Sequence, residues 1–233
     1  MKTHRLAATI TFAMLLGGVA LGGVALGASP VGAASPAVAA GYIAGTTTSR
    51  PFTKLTVTAT VPSLSCHGTH AQEVVWSTQL YDVAGNHAGD EAEAAMLLEC
   101  AGTKPVYEVA AVDFKPNGSS TFMPLAVNPK AGDSVTELIT NGASGSVVDV
   151  YDHTNRENGT KTYSLFAATV AGVTVETQPP AQVPNFGTMS FTQVMVNGVG
   201  MGALAPNVRK YSLPTISISP FSNGGTAFSA KFV

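Results

Sequence analysis

One glutamate of this chain stands where a carboxylate could do acid–base work. In the stretch AGVTVETQPPAQVPNFGTMSFT, residues 171–192, Ala171, Val173 and Val175 alternate with Gly172, Thr174 and Glu176. Strand side chains alternate between two faces, so the Glu176 carboxylate leaves on the more polar one. Pro179, Pro180 and Pro184 then interrupt the strand, and a strand-like pattern resumes over 189–196. Acidic residues gather in a second place, Glu91, Glu93 and Glu99 within DEAEAAMLLE at 90–99. Taken alone, such a run reads as a solvated surface.

Two other chemistries find less support. Cys66, His67 and His70 form a C-H-x-x-H cluster followed by His87 and Asp90. The spacing matches no closed four-ligand zinc motif, so no metal and no other cofactor is expected. A serine nucleophile is not indicated either, because the chain holds no G-x-S-x-G. Asn117-Gly118-Ser119 and Asn158-Gly159-Thr160 fit both a glycosylation acceptor and a hairpin turn, and the sequence does not choose between them.

The elements that must position Glu176 read as strands. Gly, Pro, Thr, Ser and Val dominate after the first 34 residues, and short alternating segments recur at 55–61, 106–114, 147–151, 163–175, 189–196, 216–219 and 227–233. This is the pattern of a β-sandwich. Five dipeptides, Asn117-Gly118, Asn141-Gly142, Asn158-Gly159, Asn197-Gly198 and Asn223-Gly224, have the composition of hairpin turns joining antiparallel strands. The one segment rich in helix formers is 90–99. No repeat or heptad appears, so a single domain over 35–233 is expected.

Before it, Lys2, His4 and Arg5 precede an apolar run over 6–28, with small-residue cleavage sites at Leu26-Gly27-Ala28 and Val31-Gly32-Ala33. Residues 1–34 therefore read as a signal peptide and leader, and the product as secreted; the run is also long enough to serve as an uncleaved anchor. Losing Lys2 and Arg5 leaves 10 basic against 14 acidic residues, a charge of −4. No basic patch for nucleic acid is visible. Only 11% of residues are charged, so acid would break few ion pairs.

Several segments resemble the secreted glutamic peptidases, the eqolisins. Residues 171–192 resemble that family's AEWIVE…P…NFGTVSFT segment, with Glu176 in the place of its catalytic glutamate. AAGY at 39–42 is similar to NWAGY, and FTKLTVTATVPSLSC at 52–66 to FTxVSAxWTVPSVTC. CAGTKPVY at 100–107 resembles CxGGxPxYYAWYEMYP, AGD at 131–133 matches an AGD, and GGTAFSAKF at 224–232 is similar to GxSFTVTW. The matches keep their order over most of the domain and point to a divergent, bacterial-type member. The resemblance implies an all-β, concanavalin A-like sandwich of two antiparallel sheets with a concave substrate face. Bacterial-type members carry cysteines at both Cys66 and Cys100, and a secreted protein would oxidise such a pair; two buried free thiols are the alternative.

In that family the glutamate is a general base on water, and a glutamine amide steadies the oxyanion. The glutamine lies about seven residues before the second cysteine, where this chain has Glu93; matching LLQ to Leu97-Leu98-Glu99 puts Glu99 there instead. The tryptophans of NWAGY and AWYE fall at Ala39 and Ala110, and the glutamate of AWYE at Val112 or Asp113; Trp76 alone is retained. Two readings follow. In the first, Glu93 (or Glu99) shares a proton with Glu176 and its protonated form replaces the amide, giving a monomeric acid endopeptidase acting on peptide or unfolded protein at about pH 2 to 5. In the second, the sandwich is catalytically silent and binds peptide or glycan.

Overall fold

The alternating segments fold as antiparallel strands. This computed structural model describes residues 39–46, 51–67, 71–83, 89–117, 119–177 and 182–233, and no α-helix occurs among them. The leader expected over 1–34 lies outside the described residues. In chain order the first strands are β1 (Ala39–Gly45), β2 (Lys54–Thr60), β3 (Gln72–Tyr81), β4 (Glu91–Ala101), β5 (Lys104–Phe114), β6 (Ser120–Pro124), β7 (Ser134–Gly142) and β8 (Gly145–Asp152). They are followed by β9 (Glu157–Tyr163), β10 (Val170–Thr177), β11 (Thr188–Val196), β12 (Val199–Gly200), β13 (Val208–Tyr211), β14 (Ile216–Ile218) and β15 (Phe228–Phe232).

Two sheets result. One runs β13-β1-β10-β3-β4-β5-β6; the other runs β14-β15-β11-β2-β7-β8-β9, with β12 hydrogen-bonded to β11. Period-two alternation sends one side of each strand into the space between them. Val74, Trp76 and Leu80 of β3, Ala92, Ala94, Met96 and Leu98 of β4, and Ala171, Val173 and Val175 of β10 meet Leu55, Val57, Val135, Ile139, Val148 and Phe191 of the other sheet in one buried core. Trp76, fully buried, touches Phe191 edge-on at 5.6 Å between ring centroids. Each large side chain enclosed there contributes roughly 1.5–3 kcal/mol.

Segment 90–99 shows burial overriding propensity. Its helix formers lie in β4, where Ala92, Ala94, Met96 and Leu98 face the core while Glu91, Glu93 and Glu99 take the opposite face. Segment 163–175 divides, since β9 ends at Tyr163 and β10 begins at Val170. Among the hairpin dipeptides, Asn197-Gly198 forms the two-residue turn between β11 and β12, with φ of 51° and 81°. Asn158-Gly159 instead sits within β9, and Asn141-Gly142 ends β7 beside the turn rather than in it. Gly118 lies outside the described residues.

Cys66 and Cys100 form the expected disulfide, with Cα atoms 5.5 Å apart. Closing a loop of this size stabilises by about 3–4 kcal/mol in the chain-entropy account. No helix among the described residues is long and apolar enough to cross a membrane.

One core residue is a carboxylic acid. Glu137 shares the inward face of β7 with Val135 and Ile139, is fully buried, and neither of its oxygens has a well-formed hydrogen bond. Its strand neighbours at that position are Val57 and Val150. Burial pushes its pKa well above the carboxylate range, with only a small opposing pull from the Thr78 hydroxyl across the gap. The acid is therefore neutral in the folded state and ionises readily only on unfolding. Because the folded form binds the proton more tightly, its stability is greatest below the unfolded pKa and declines as pH rises toward the folded one. Thermal melts at pH 4 and pH 7 should show Glu137→Leu stabilising more at pH 7, each kcal/mol recovered appearing as about 2–4 °C. Equal shifts at both pH values would contradict this account.

Candidate active site

The candidate site is built on three adjacent strands, on the face of the seven-stranded sheet opposite the core. Register places Glu176 of β10 beside Val75 of β3, Thr174 beside Ser77, and Gly172 beside Gln79. On the far side of β3, Ser77 pairs with Ala95 and Gln79 with Glu93 of β4. Two-residue alternation thus brings Thr174, Glu176, Ser77, Gln79, Glu91 and Glu93 to one face without any loop positioning them.

A continuous hydrogen-bond chain connects five of them, running from Thr174 through Glu176, Gln79 and Ser77 to Glu93. Gln79 Nε2 donates to Glu176 Oε1 and to Ser77 Oγ, each at 2.7 Å. Ser77 Oγ donates to Glu93 Oε1 at 2.6 Å, and Thr174 Oγ1 donates to Glu176 Oε1 at 2.7 Å. Ser77 and Glu93 are fully buried and Thr174 nearly so, whereas Glu176 and Gln79 remain partly accessible. Gly172 makes room for the amide: a Cβ there would lie 3.2 Å from Gln79 Oε1, closer than ordinary packing allows.

The carboxyls divide by environment. Burial raises the Glu176 pKa, and the bonds from Thr174 and Gln79 pull it back. Burial, then the nearby Glu176 charge, pushes Glu91 up to about 8. Burial drives Glu93 well above the carboxylate range, followed by Glu176 and Glu91, against the Ser77 hydrogen bond. Two donors stabilise ionised Glu176, while the other two have less to hold a charge, so Glu176 is the first of the three to lose its proton. Beside them, Tyr81 is held in its protonated phenol form, chiefly by burial and then by Glu91.

The acidic residues picked out in the sequence all lie among the described residues. Glu176 is central. Glu93 is on the same face but reaches Glu176 only through Ser77 and Gln79. Glu99 pairs with Glu73, where burial and then the neighbouring acid raise the pKa of Glu73. Cys66 is committed to the disulfide, His70 and His87 lie outside the described residues, and no cluster of three metal-ligating side chains occurs among the described residues. Sequence reasoning did not single out Ser77 or Gln79 of this cluster. Their signal was parity: in WSTQLY, Trp76, Thr78 and Leu80 occupy one face, leaving Ser77 and Gln79 on the other, which register makes the face that Glu176 shares.

The fold is similar to that of several solved proteins. Scytalido-glutamic peptidase, solved with a peptide-based transition state analog, aligns over 84% of this chain and 98% of its own, with a TM-score of 0.63 and 15% identity. SCP-B, a member of the eqolisin family solved with the tripeptide Ala-Ile-His, aligns over the same shares with a TM-score of 0.59 and 15% identity. Aspergilloglutamic peptidase from Aspergillus niger covers 69% of this chain and 99% of its own, with a TM-score of 0.53 and 13% identity. No protein-family model and no curated protein matches the sequence. At these identities the likeness establishes the fold, and the antiparallel two-sheet sandwich expected from the sequence is the fold observed.

Proposed function

We propose that this chain is a secreted endopeptidase in which Glu176 is the general base and Gln79 the oxyanion donor. The observation that carries the reading is the 2.7 Å bond from the Gln79 amide to the Glu176 carboxylate. It puts a proton acceptor and a neutral N–H donor side by side on the open side of a sandwich whose fold-neighbours are glutamic peptidases. The amide that seemed lost from β4, where Glu93 stands, is supplied from β3.

Ionised Glu176 takes a proton from a water as its oxygen adds to the scissile carbonyl. As Glu176 gains that proton its claim on the Gln79 N–H weakens, and the same N–H, held in place, serves the oxygen that becomes negative, where a fixed donor is worth most. Glu176 then passes its proton to the departing nitrogen, the C–N bond breaks, and the carboxylate is restored. Glu91 and Glu93 stay neutral through this cycle, which spares the oxyanion two nearby negative charges.

The environment of Glu176 sets the pH dependence. Its raised pKa moves the acid limb up from the ordinary carboxylate value, and ionisation of Glu91 around pH 8 closes the window. The optimum should therefore lie higher than the pH 2 to 5 expected from the sequence. Purified protein incubated with a reduced, unfolded substrate from pH 2 to 9 should produce internal fragments by mass spectrometry, with a bell-shaped profile indifferent to chelators. Absence of cleavage across that range would overturn the peptidase reading in favour of a binding sandwich.

A further inference from the structure

Gln79 can act as a donor only if its nitrogen, not its oxygen, faces Glu176. Amide orientation is decided by the network around it. Ser77 has one proton, and that proton goes to Glu93 Oε1 at 2.6 Å. The remaining lone pairs of Ser77 Oγ can only accept, which they do from Gln79 Nε2 at 2.7 Å. Turning the amide over would set Gln79 Oε1 against a serine oxygen with no proton to give and against the Glu176 carboxylate. Neither contact would be attractive.

We propose that Ser77 and Glu93 are positioning residues: Glu93 fixes the direction of the Ser77 hydroxyl, and Ser77 thereby holds the Gln79 amide with its N–H groups toward Glu176. This rests on Gln79 as the oxyanion donor but adds that its orientation is imposed from β4, two bonds away. Full burial of Ser77 and Glu93 suits the role, since no water competes for the hydroxyl proton. What Glu93 supplies is an acceptor, not a charge. Its second oxygen, Oε2, is buried without a partner, the position where a neutral acid would keep its proton. A glutamine amide therefore imitates that acid closely, offering its carbonyl to Ser77 and placing NH₂ where the hydroxyl was.

Three variants separate an acceptor from a space-filler. Glu93→Gln should keep kcat within about 3-fold of the parent, whereas Glu93→Leu and Ser77→Ala should lower kcat about 10-fold with KM little changed, the scale of one lost hydrogen bond acting on orientation. A second readout needs no turnover. In ¹⁵N-labelled protein, with Gln79 assigned by its disappearance in Gln79→Leu, the two side-chain N–H signals should be distinct and slow to exchange in the parent and in Glu93→Gln. In Ser77→Ala and Glu93→Leu, matched for folding by melting temperature, exchange should quicken at least about 10-fold. Unchanged Gln79 signals and kcat in Ser77→Ala would overturn the proposal, as would equal losses in Glu93→Gln and Glu93→Leu. A protected amide in a protein that cleaves nothing would instead refute the peptidase reading and leave the clamp standing. Hydrolysis that depends on Glu176 and Gln79 but not on Ser77 would do the reverse.

Discussion

Glu176→Gln should lower peptide hydrolysis roughly 100- to 10,000-fold while leaving the sandwich folded, the usual worth of a positioned general base. The substitution conserves volume, and its carbonyl oxygen can still accept from Thr174 and Gln79, so the bonds to Glu176 Oε1 have a substitute partner. What it removes is the ability to take a proton from water. The loss should fall on kcat, with KM little changed, because an interaction made only as water attacks is the one deleted. Stability should move the opposite way. Glu176 has a raised pKa, so its ionisation costs the folded state as pH climbs from the carboxylate range. The glutamine variant lacks that cost and should melt no lower than the parent at pH 7. Activity within about 3-fold of the parent would remove Glu176 from the mechanism, whatever the pH profile.

How much of this could be seen without coordinates depends on how far each feature reaches along the chain. The sandwich was legible because period-two alternation is local, and the strand placement of Glu176 because its alternating pattern and the prolines after it lie within one segment. Segment 90–99 was obscure for the opposite reason. Its residues favour a helix in isolation, and only the core under Ala92, Ala94, Met96 and Leu98 makes it a strand. Gln79 was hidden because its meaning depends on register: Gly172 stands opposite it on one side and Glu93 on the other. A lone glutamine in WSTQLY has nothing to distinguish it until those strands are paired. Glu137 was half legible. Parity with Val135 and Ile139 points it inward, but composition treats any glutamate as surface.

The same register makes the effect of changing Gln79 specific in direction. Gln79→Leu should reduce kcat roughly 100- to 1000-fold, as removal of one oxyanion donor does, because leucine fills a similar space and offers no N–H. It would also strip ionised Glu176 of one of its two donors. The Glu176 pKa should then rise further, and the acid limb of the pH profile, whatever activity remains, should shift to higher pH. Gln79→Glu tests the donor itself. A carboxyl at this position has a proton to give only while neutral, and it would be surrounded by Glu176, Glu91 and Glu93. Residual activity should therefore survive on the acid side and fall away as the new acid ionises, narrowing the profile from its alkaline edge. If both variants keep the parent's profile and rate, the Gln79–Glu176 contact is structural, and the oxyanion donor must be sought elsewhere on this face, first at the protonated Tyr81 hydroxyl.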